Sequence, residues 1–250
     1  MEQIITKDES AGITKHYPIV AIGASAGGLE AMIELLSALP ADTNLAYVYI
    51  QHLDRDFDSK LTEILQRYTK MLVLEAKDLL PLNPNHLYVI PPDKDLSIID
   101  GVIKVSQRPP KGILHLPIDK FFNSLAQKRK EAAIGVILSG SASDGAIGMK
   151  AIKMAGGFTF AQDESAKYRS MPTAAIAEGV VDAILPPHAI ARELEHLSKK
   201  AHLLQHLFSD DDIEELVPHQ EESADIPVKE ENLSTILSQL KIATGVDFTH

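Results

Sequence analysis

The chain contains no cysteine among its 250 residues, and this absence excludes several kinds of site at once. Disulfide bonds, cysteine-ligated zinc, iron–sulfur clusters and a thiol nucleophile are all ruled out. A protein without cysteine also fits a reducing compartment. We therefore expect a cytoplasmic protein without a disulfide framework.

Long apolar runs are missing as well. The first 17 residues, MEQIITKDESAGITKHY, are polar and of mixed charge, unlike a signal peptide. No segment approaches the ~18–20 consecutive apolar residues that a membrane-spanning helix needs. The composition, 45% hydrophobic and 24% charged, is ordinary for a soluble globular protein. We predict a disordered segment at 1–17, followed by a folded domain that does not insert into a membrane.

Positive charge is scarce: 24 Lys and Arg oppose 35 Asp and Glu, which gives a formal net charge of −11. A nucleic-acid partner is not expected, because binding a polyphosphate normally requires a clustered basic face. Much of the negative charge lies in residues 209–231, which include Pro218 and Pro227 and few large apolar residues. We interpret residues 207–231 as an acidic linker that follows a folded domain at 18–206.

Apolar stretches of strand length alternate with helical patterns throughout this domain. Predicted strands lie at 18–24, 45–51, 71–76, 87–92, 132–140, 158–162 and 180–186, and predicted helices at 27–38, 58–69, 118–130, 145–155, 172–178 and 187–206. Two alternating runs about Asp100-Gly101 predict a β-hairpin. Strands that alternate with helices predict an α/β fold, with a doubly wound, mainly parallel sheet and helices on both faces.

A first polar motif, GASAGG at 23–28, joins the first strand to the first helix. Its small residues allow a sharp turn that exposes Ser25 at the helix N-terminus. Backbone N–H groups and the helix dipole can stabilise an oxyanion there. The motif is similar to the nucleophile elbow of hydrolases, here with the spacing G-x-S-x-G-G. On this motif alone, a phosphate-binding turn and a plain tight turn remain alternatives.

Two further polar motifs follow strands that a doubly wound sheet places beside the first strand. His52 stands at the end of the second strand, and a neutral imidazole can remove the proton of a serine hydroxyl. Asp144, in SGSASDG at 139–145, follows the long apolar strand and can orient His52. Taken singly, His52 could be a surface or capping histidine, and Asp144 a helix N-cap. Together with Ser25 they predict a Ser-His-Asp triad, since geometry defines a triad and chain order does not.

The same motifs argue against nucleotide binding. A dinucleotide-binding turn needs G-x-G-x-x-G, and Ser25 occupies the position of the second glycine. Gln51-His52 stands where an acidic ribose-binding residue is expected, and no Gly-Lys-Ser/Thr loop occurs. His202 and His206 are spaced as a metal pair but lack a third ligand. We therefore expect no cofactor and no metal.

Four segments together resemble the catalytic domain of the chemotaxis protein-glutamate methylesterases, the CheB family. They are PIVAIGASAGGLEA, YIQHLDRDF, GVILSGSASDGAIGMKAIKMAGG and AQDESAKYRSMPTAAIAEGVVDAIL, in that order between residues 18 and 197. The resemblance implies that 18–206 is a methylesterase catalytic domain, with Ser25 as nucleophile, His52 as base and Asp144 as orienting acid. The family acts on glutamate γ-methyl esters in the cytoplasmic helical bundle of chemoreceptors. It releases methanol, and many members also deamidate receptor glutamines.

This chain departs from the family pattern near the predicted oxyanion hole. Many members have Thr where Ala26 stands, and Met-Gly-Asn-Asp where this chain has Ser-Ala-Ser-Asp at 141–144. Ala26 and Ser141 are the residues that we expect to shape the oxyanion hole and the substrate contacts. Typical members also carry a phosphorylatable receiver domain that covers the active site. Because only about 17 residues precede the first strand here, we expect no regulation by that route.

The segment QLKIATGVDFTH resembles the opening of the chemoreceptor methyltransferases, the CheR family. The resemblance implies that 232–250 is the truncated start of a methyltransferase-like domain in a longer fusion protein. The expected partners are the cytoplasmic helical domain of methylated chemoreceptors, a histidine kinase and the fused methyltransferase. The alternative function is a catalytically idle module that docks receptors or a kinase.

Overall fold

The structure, a computed structural model, describes residues 17–53, 60–99, 101–110 and 112–207. The strands are β1 (Ile19–Ala24), β2 (Ala46–Gln51), β3 (Leu72–Glu75), β4 (His86–Val89), β5 (Lys94–Ile99), β6 (Val102–Gln107), β7 (Ala133–Ile137), β8 (Phe158–Gln162) and β9 (Ala183–Leu185). The helices are α1 (Gly28–Ala38), α2 (Leu61–Gln66), α3 (Pro117–Arg129), α4 (Ala146–Met154), α5 (Ser170–Ala177) and α6 (Pro187–Leu207). A parallel sheet has the order β3-β4-β2-β1-β7-β8-β9, and β5 and β6 form an antiparallel hairpin.

The predicted fold class, a doubly wound parallel sheet with one hairpin, is confirmed. Within the described ranges, no helix is both long enough and apolar enough to cross a membrane. The predictions of a disordered N-terminus, an acidic linker and a methyltransferase-like end fall largely on 1–16 and 208–250, which lie outside the described residues.

Helix α2 differs most from its prediction, because it ends at Gln66 rather than near residue 69. The side chain of Gln66 takes over the hydrogen bonds of the following turn. Its Nε2 donates to the carbonyl of Met71 at 2.9 Å, and its Oε1 accepts from the N–H of Val73 at 2.9 Å. The chain therefore leaves the helix and enters β3 one turn earlier than the apolar pattern indicates.

Successive side chains of β1 point into two different cores, one on each face of the sheet. Val20 and Ile22 lie in a core covered by α1 and α6, whereas Ile19 and Ala21 lie in a core covered by α3, α4 and α5. Burial of a valine or isoleucine side chain contributes about 1.5–3 kcal/mol, so both faces stabilise the central strand. This burial explains why β1 is an uninterrupted apolar run.

The carboxyl ends of β1, β2 and β7 coincide at one edge of the sheet. Ala24 at the end of β1 pairs with Gln51 of β2, and Gly23 pairs with Ile137 of β7. The chain leaves β1 toward β2 on one side and later returns to β7 on the other side. Strand order therefore reverses at β1, which is where doubly wound sheets form a crevice for ligands.

Gly23 allows α3 to approach β1 closely. A Cβ at this position would lie 2.5 Å from Cγ2 of Ile118 and 3.1 Å from Cδ1 of Ile137. We expect Gly23→Ala to lower the free energy of unfolding by about 1–3 kcal/mol through overpacking. Chemical denaturation measures the change. Ser37→Thr, which adds one methyl group on the exposed face of α1, should stay within about 0.5 kcal/mol of the wild type. Equal stability of the two variants would contradict this close approach.

Candidate active site

The turn after β1 is fixed by two glycines and by the end of β7. A Cβ on Gly27, whose φ is 70°, would lie 2.8 Å from Oγ of Ser139, and one on Gly28 would lie 2.5 Å from Cβ of Ala24. The N–H of Ser25 donates to the carbonyl of Ser139 at 3.0 Å, and the carbonyl of Ser25 accepts from the N–H of Gly28 at 2.9 Å. Ser25 thus lies at the N-terminus of α1 with its backbone engaged on both sides.

Ser139 connects three segments around Ser25. Its Oγ donates to the carbonyl of Ala26 at 2.8 Å and accepts from the N–H of Tyr168 at 3.0 Å. Its N–H donates to Oε1 of Gln162 at 2.9 Å. Both Ser139 and Gln162 are buried, so loss of either side chain would leave buried polar groups without partners, at a cost of about 1–3 kcal/mol each.

The amide of Gln51 supports Ser25 from the side of β2. Its Nε2 donates to the carbonyl of Ser25 at 3.4 Å, and its Oε1 accepts from the hydroxyl of Tyr49. Burial, together with the nearby charge of Glu30, raises the pKa of Tyr49, so this hydroxyl remains protonated. A permanent donor on Oε1 fixes the orientation of the amide and keeps its N–H groups directed toward Ser25.

His52 is the first residue after β2, and Ser25 is the first after β1. The N–H of His52 donates to the carbonyl of Ala24 at 3.1 Å. Adjacent strands lie about 4.8 Å apart, so the backbones of the two residues are direct neighbours. Nε2 of His52 lies 2.7 Å from Oδ2 of Asp144, and the imidazole is 29% exposed. Among the described residues no hydrogen bond joins the Ser25 hydroxyl to His52. In enzymes without bound substrate, catalytic hydrogen bonds are often long and shorten only when the substrate binds.

Asp144 is buried, at 1% exposure, and its charge is stabilised by the first turn of α3. Oδ2 accepts from the N–H of Ile118 at 3.0 Å, and Oδ1 accepts from the N–H of Asp119 at 2.9 Å. Unpaired N–H groups at a helix N-terminus and the helix dipole both favour a carboxylate. The simpler interpretation of Asp144 as the N-cap of α4 is wrong: Gly145 occupies that position, and no side chain caps the helix.

Asp119 has the reciprocal position. Its Oδ1 accepts from the N–H of Gly148, in the first turn of α4, at 2.7 Å. Burial raises the pKa of Asp119, the hydrogen bond from Gly148 opposes that rise, and the charge of Asp144 adds to it. Each of these two helices therefore binds, at its first turn, a carboxylate that comes from the other. The first turn of α3 binds Asp144, which precedes α4, and the first turn of α4 binds Asp119, which belongs to α3.

The two residues predicted to shape an oxyanion hole differ in exposure. Ala26 is half-buried, with its carbonyl bound by Ser139. Ser141 is exposed and follows Gly140, where a Cβ would lie 3.0 Å from Cβ of Ser25. The N–H of Ser25 already donates to Ser139 and is not available to an oxyanion. Donors from this turn must therefore come from the N–H groups that follow Ser25, and the roles of Ala26 and Ser141 stay predictions.

A cavity of about 160 Å³ adjoins His52. Its wall includes Lys94 and Arg108 from the hairpin region and His115 from the segment before α3. Within the described ranges, no group of three or more His, Asp and Glu residues is placed to hold a metal ion. The polar neighbours of His52 thus include the carboxylate of Asp144, Ser25 at a helix N-terminus, and a cavity whose wall contains Lys94 and Arg108.

Ser139 and Gln51 lie within the predicted motifs, but sequence patterns gave no role to them, to Gln162 or to Asp119, although all four make the hydrogen bonds that hold the site together. Ser139 and Gln162 lie just after or at the end of buried strands, and this position is the one signal that could have identified them. Asp119 carries no such signal, because a proline and an acidic residue in a first helical turn are an ordinary helix start.

Comparison with known proteins gives one consistent family. A family model described as CheB methylesterase matches residues 20–194. Protein-glutamate methylesterase/protein-glutamine glutaminase 2 of Burkholderia lata is 42% identical over 187 residues, covering 70% of this chain and 52% of that protein. Protein-glutamate methylesterase/protein-glutamine glutaminase 3 of Burkholderia orbicola is 41% identical over 193 residues, covering 72% and 54% respectively. The chain spans about half the length of these curated relatives.

A solved structure agrees with these matches. The crystal structure of the Thermotoga maritima CheB methylesterase catalytic domain superimposes with a TM-score of 0.67 at 30% sequence identity. The alignment covers 72% of this chain and 98% of that chain. Almost the whole of that catalytic domain therefore has a counterpart here.

The loop that ends at Asp144 contains a non-glycine residue in the left-handed region, Ala142, whose φ is 70°. This conformation costs a residue with a Cβ roughly 1 kcal/mol more than it costs glycine. We expect Ala142→Gly to raise the free energy of unfolding by about 1 kcal/mol, measured by chemical denaturation. Ala151→Gly, the same substitution inside α4, should lower it by about 1 kcal/mol. A loss of stability in both variants would contradict a left-handed Ala142.

Asp119→Asn retains an acceptor for the N–H of Gly148 but removes the charge. A carboxyl whose pKa is raised by folding stabilises the folded state below its unfolded pKa, and this contribution is lost as pH rises through the folded pKa. The free energy of unfolding of the wild type should therefore fall relative to that of the variant as the pH rises above 3.8, the ordinary pKa of an aspartate. Denaturation at a series of pH values measures this difference.

Asp78→Asn provides a control of opposite sign. The hydrogen bond from Lys104 lowers the pKa of Asp78, so its contribution is present above 3.8 and is lost as pH falls below that value. The wild type should therefore gain stability relative to Asp78→Asn as pH rises. The same pH trend for both pairs of proteins would contradict the raised pKa of Asp119.

Proposed function

The chain belongs to the CheB methylesterase family, and we propose that it hydrolyses the γ-methyl esters of glutamate residues in a protein substrate, releasing methanol. The names of the similar Burkholderia proteins and the match to a CheB catalytic domain support this reaction. The single observation that carries it is the contact of 2.7 Å between His52 and Asp144, at the strand end next to Ser25. A serine next to a histidine–carboxylate pair supplies the groups that acyl transfer requires.

His52 is the general base of this proposal, acting through Nδ1. Asp144 binds Nε2, so the proton of a neutral imidazole stays on Nε2 and the lone pair is on Nδ1. The buried carboxylate also stabilises the imidazolium that forms when His52 accepts a second proton. Because the first turn of α3 holds Asp144 in place, the ring keeps one orientation through the cycle.

In the acylation step, Oγ of Ser25 attacks the ester carbonyl carbon while its proton passes to Nδ1 of His52. The carbonyl oxygen becomes an oxyanion, and N–H groups after Ser25, at the start of α1, are its proposed donors, with Ser141 as a proposed substrate contact. The tetrahedral intermediate then breaks its bond to the methoxy oxygen. That oxygen takes the proton from His52 and leaves as methanol, and the glutamyl group remains esterified to Ser25.

Water completes the cycle by the same steps. His52 takes a proton from water, the resulting hydroxide attacks the acyl carbon, and Oγ of Ser25 leaves with the proton returned by His52. The products are a free glutamate side chain and the original serine. A glutamine side chain would follow the same route with ammonia in place of methanol, and this second reaction is in keeping with the glutaminase part of the relatives' names.

The proposed substrate is the cytoplasmic helical domain of methylated chemoreceptors, and the proposed compartment is the cytoplasm. A histidine kinase and a fused methyltransferase are the further partners that we propose. Membership of the family supports a chemoreceptor as the substrate, and the absence of cysteine is in keeping with a reducing compartment. The competing function, a catalytically idle module that docks a receptor or kinase, requires no reaction at Ser25.

We expect Ser25→Ala to lower methanol release from a methylated receptor fragment by roughly a thousandfold or more, because nucleophile and base act as a unit. His52→Ala should lower it by a comparable factor. Methanol release at saturating substrate is the measurement. Ser37→Ala, an exposed serine on α1, is the matched control and should retain wild-type turnover.

The outcomes separate the two functions. Release that depends on Ser25 and His52 supports the esterase. Near-normal release from Ser25→Ala would contradict the proposed nucleophile. Tight binding of the receptor fragment without any methanol release would favour the docking module.

A further inference from the structure

A second histidine–carboxylate pair lies beside the same cavity as His52. Nε2 of His115 is 2.6 Å from Oδ1 of Asp95, a buried carboxylate, and Nζ of Lys120 is 2.8 Å from its other oxygen. His52 and His115 both line the cavity of about 160 Å³. The reaction proposed above uses His52 and leaves His115 without a chemical role.

The charges around this cavity favour an anion. Lys94 and Arg108 line it together with one carboxylate, that of Asp93. The charge of Asp95 behind His115 is already compensated by Lys120. A cavity with a surplus of positive groups raises the local concentration of negatively charged ligands.

Arg108 is held in a fixed orientation at this site. Its Nη1 donates to the carbonyl of Leu53, the residue after His52, at 3.1 Å, and its backbone N–H donates to the carbonyl of Asp93 at 3.2 Å. Within the described part of the chain, its buried Nε has no hydrogen-bond partner. A planar guanidinium that is already oriented loses little entropy when a carboxylate binds to it, and its fork matches the two carboxylate oxygens.

We propose that this cavity is a binding subsite for an acidic side chain of the substrate polypeptide, a neighbour of the esterified glutamate, with Arg108 as the donor to its carboxylate and His115 beside it on the cavity wall. The inference rests on the proposed function, because Ser25 and His52 define where the ester lies. It adds a requirement that the triad does not impose: a carboxylate at a fixed distance from the scissile ester.

Two exposed apolar residues favour a polypeptide over a free carboxylic acid. Ile113 is 60% exposed and Leu114 is 80% exposed, and they directly precede His115. A polypeptide whose acidic side chain enters the cavity can cover both residues, whereas a small free acid cannot. Adjacent exposed apolar side chains, here next in sequence to a residue that lines a polar cavity, are typical of protein-binding surfaces.

A purely structural role is the simpler alternative for His115. In that case the bonds of Asp95 to His115 and Lys120 only fasten the hairpin to α3. Such a role predicts that substitutions at the cavity change stability and leave the choice between acidic and neutral substrates unaltered. Substrate selectivity is therefore the readout that separates the two roles.

The first experiment compares peptides that carry one glutamate γ-methyl ester and one acidic neighbour. Glu is placed in turn at each position up to about four residues from the ester, which covers one helical turn, and matched peptides carry Met instead. We expect at least one placement to raise kcat/KM about tenfold over its Met counterpart, as a charge-assisted hydrogen bond would. Arg108→Gln should remove this preference for the Glu peptide. Arg108→Lys, which retains the charge without the two parallel N–H donors of the guanidinium, should reduce the preference.

Arg67→Gln is the matched control. Arg67 is an exposed arginine that lines a separate cavity beside the ends of α1 and α2, so the ratio between acidic and neutral peptides should keep its wild-type value. Thermal unfolding of Arg108→Gln checks that the variant is folded. The preference of the wild type for acidic peptides requires no variant and tests the proposal even if Arg108→Gln does not fold.

The second experiment measures binding without turnover. Glutarate is titrated into the full chain while the ring signals of His115, assigned from a His115→Gln variant, are followed by NMR. We expect a saturable shift that Arg108→Gln removes and Arg67→Gln retains. No saturable shift, or a shift that persists in Arg108→Gln, would overturn the subsite.

The two experiments distinguish failure of the subsite from failure of the proposed function. Ser25-dependent methanol release with no preference for acidic peptides and no glutarate shift overturns the subsite and leaves the esterase intact. A glutarate shift that depends on Arg108, without methanol release from any peptide, supports a carboxylate site and overturns the esterase. A glutarate shift together with equal turnover of acidic and neutral peptides shows a site for a free acid and overturns the polypeptide ligand.

Discussion

Asp144 carries a negative charge where water cannot reach it, and the surrounding chain supplies the donors that this charge requires. An ionised carboxylate in a buried position is costly unless it is hydrogen-bonded and paired. Here two backbone N–H groups of α3 and the imidazole of His52 meet that requirement. The contact fixes the position of α3, the loop after β7 and the end of β2 relative to one another. Asp144 thereby holds together three segments that border the crevice at the reversal of strand order.

The serine side of the crevice is built from neutral hydrogen bonds. Ser139 donates to the carbonyl of Ala26, and Gln51 donates to the carbonyl of Ser25. Gln162 accepts from the N–H of Ser139, and none of these three side chains carries a charge. Neutral contacts leave the electrostatic environment of the crevice to the His52–Asp144 pair and to the cavity beside it. The backbone carbonyl of Ser139 accepts from the N–H of Ser25, so the backbone of the nucleophile is part of the scaffold and only its side chain is free to react.

The sequence predicts the order of the elements and the position of Ser25, His52 and Asp144, because each depends on local signals. Buried parallel strands are apolar runs, and polar residues directly after them lie at the sheet edge. The partners of those residues depend on tertiary contacts and could not be predicted. Nothing in the local pattern indicates that Asp144 binds α3 rather than capping α4, or that the side chain of Gln66 ends α2 early. Those choices are decided by distances across the fold.

The exchange of carboxylates between α3 and α4 has a consequence for how this protein would evolve if its chemistry were no longer needed. Ser25 contributes a side chain that the fold does not require, whereas His52 also stabilises the buried carboxylate, so drift would alter Ser25 first. Asp144 and Asp119 each satisfy the N-terminus of the neighbouring helix, and selection for a folded chain would preserve both without any reaction to protect. A descendant that only docked a partner would therefore keep the acid and lose the nucleophile. In a survey of related genomes, the retention of Asp144 would record the inheritance of a fold, and the retention of Ser25 with His52 would record the inheritance of an enzyme.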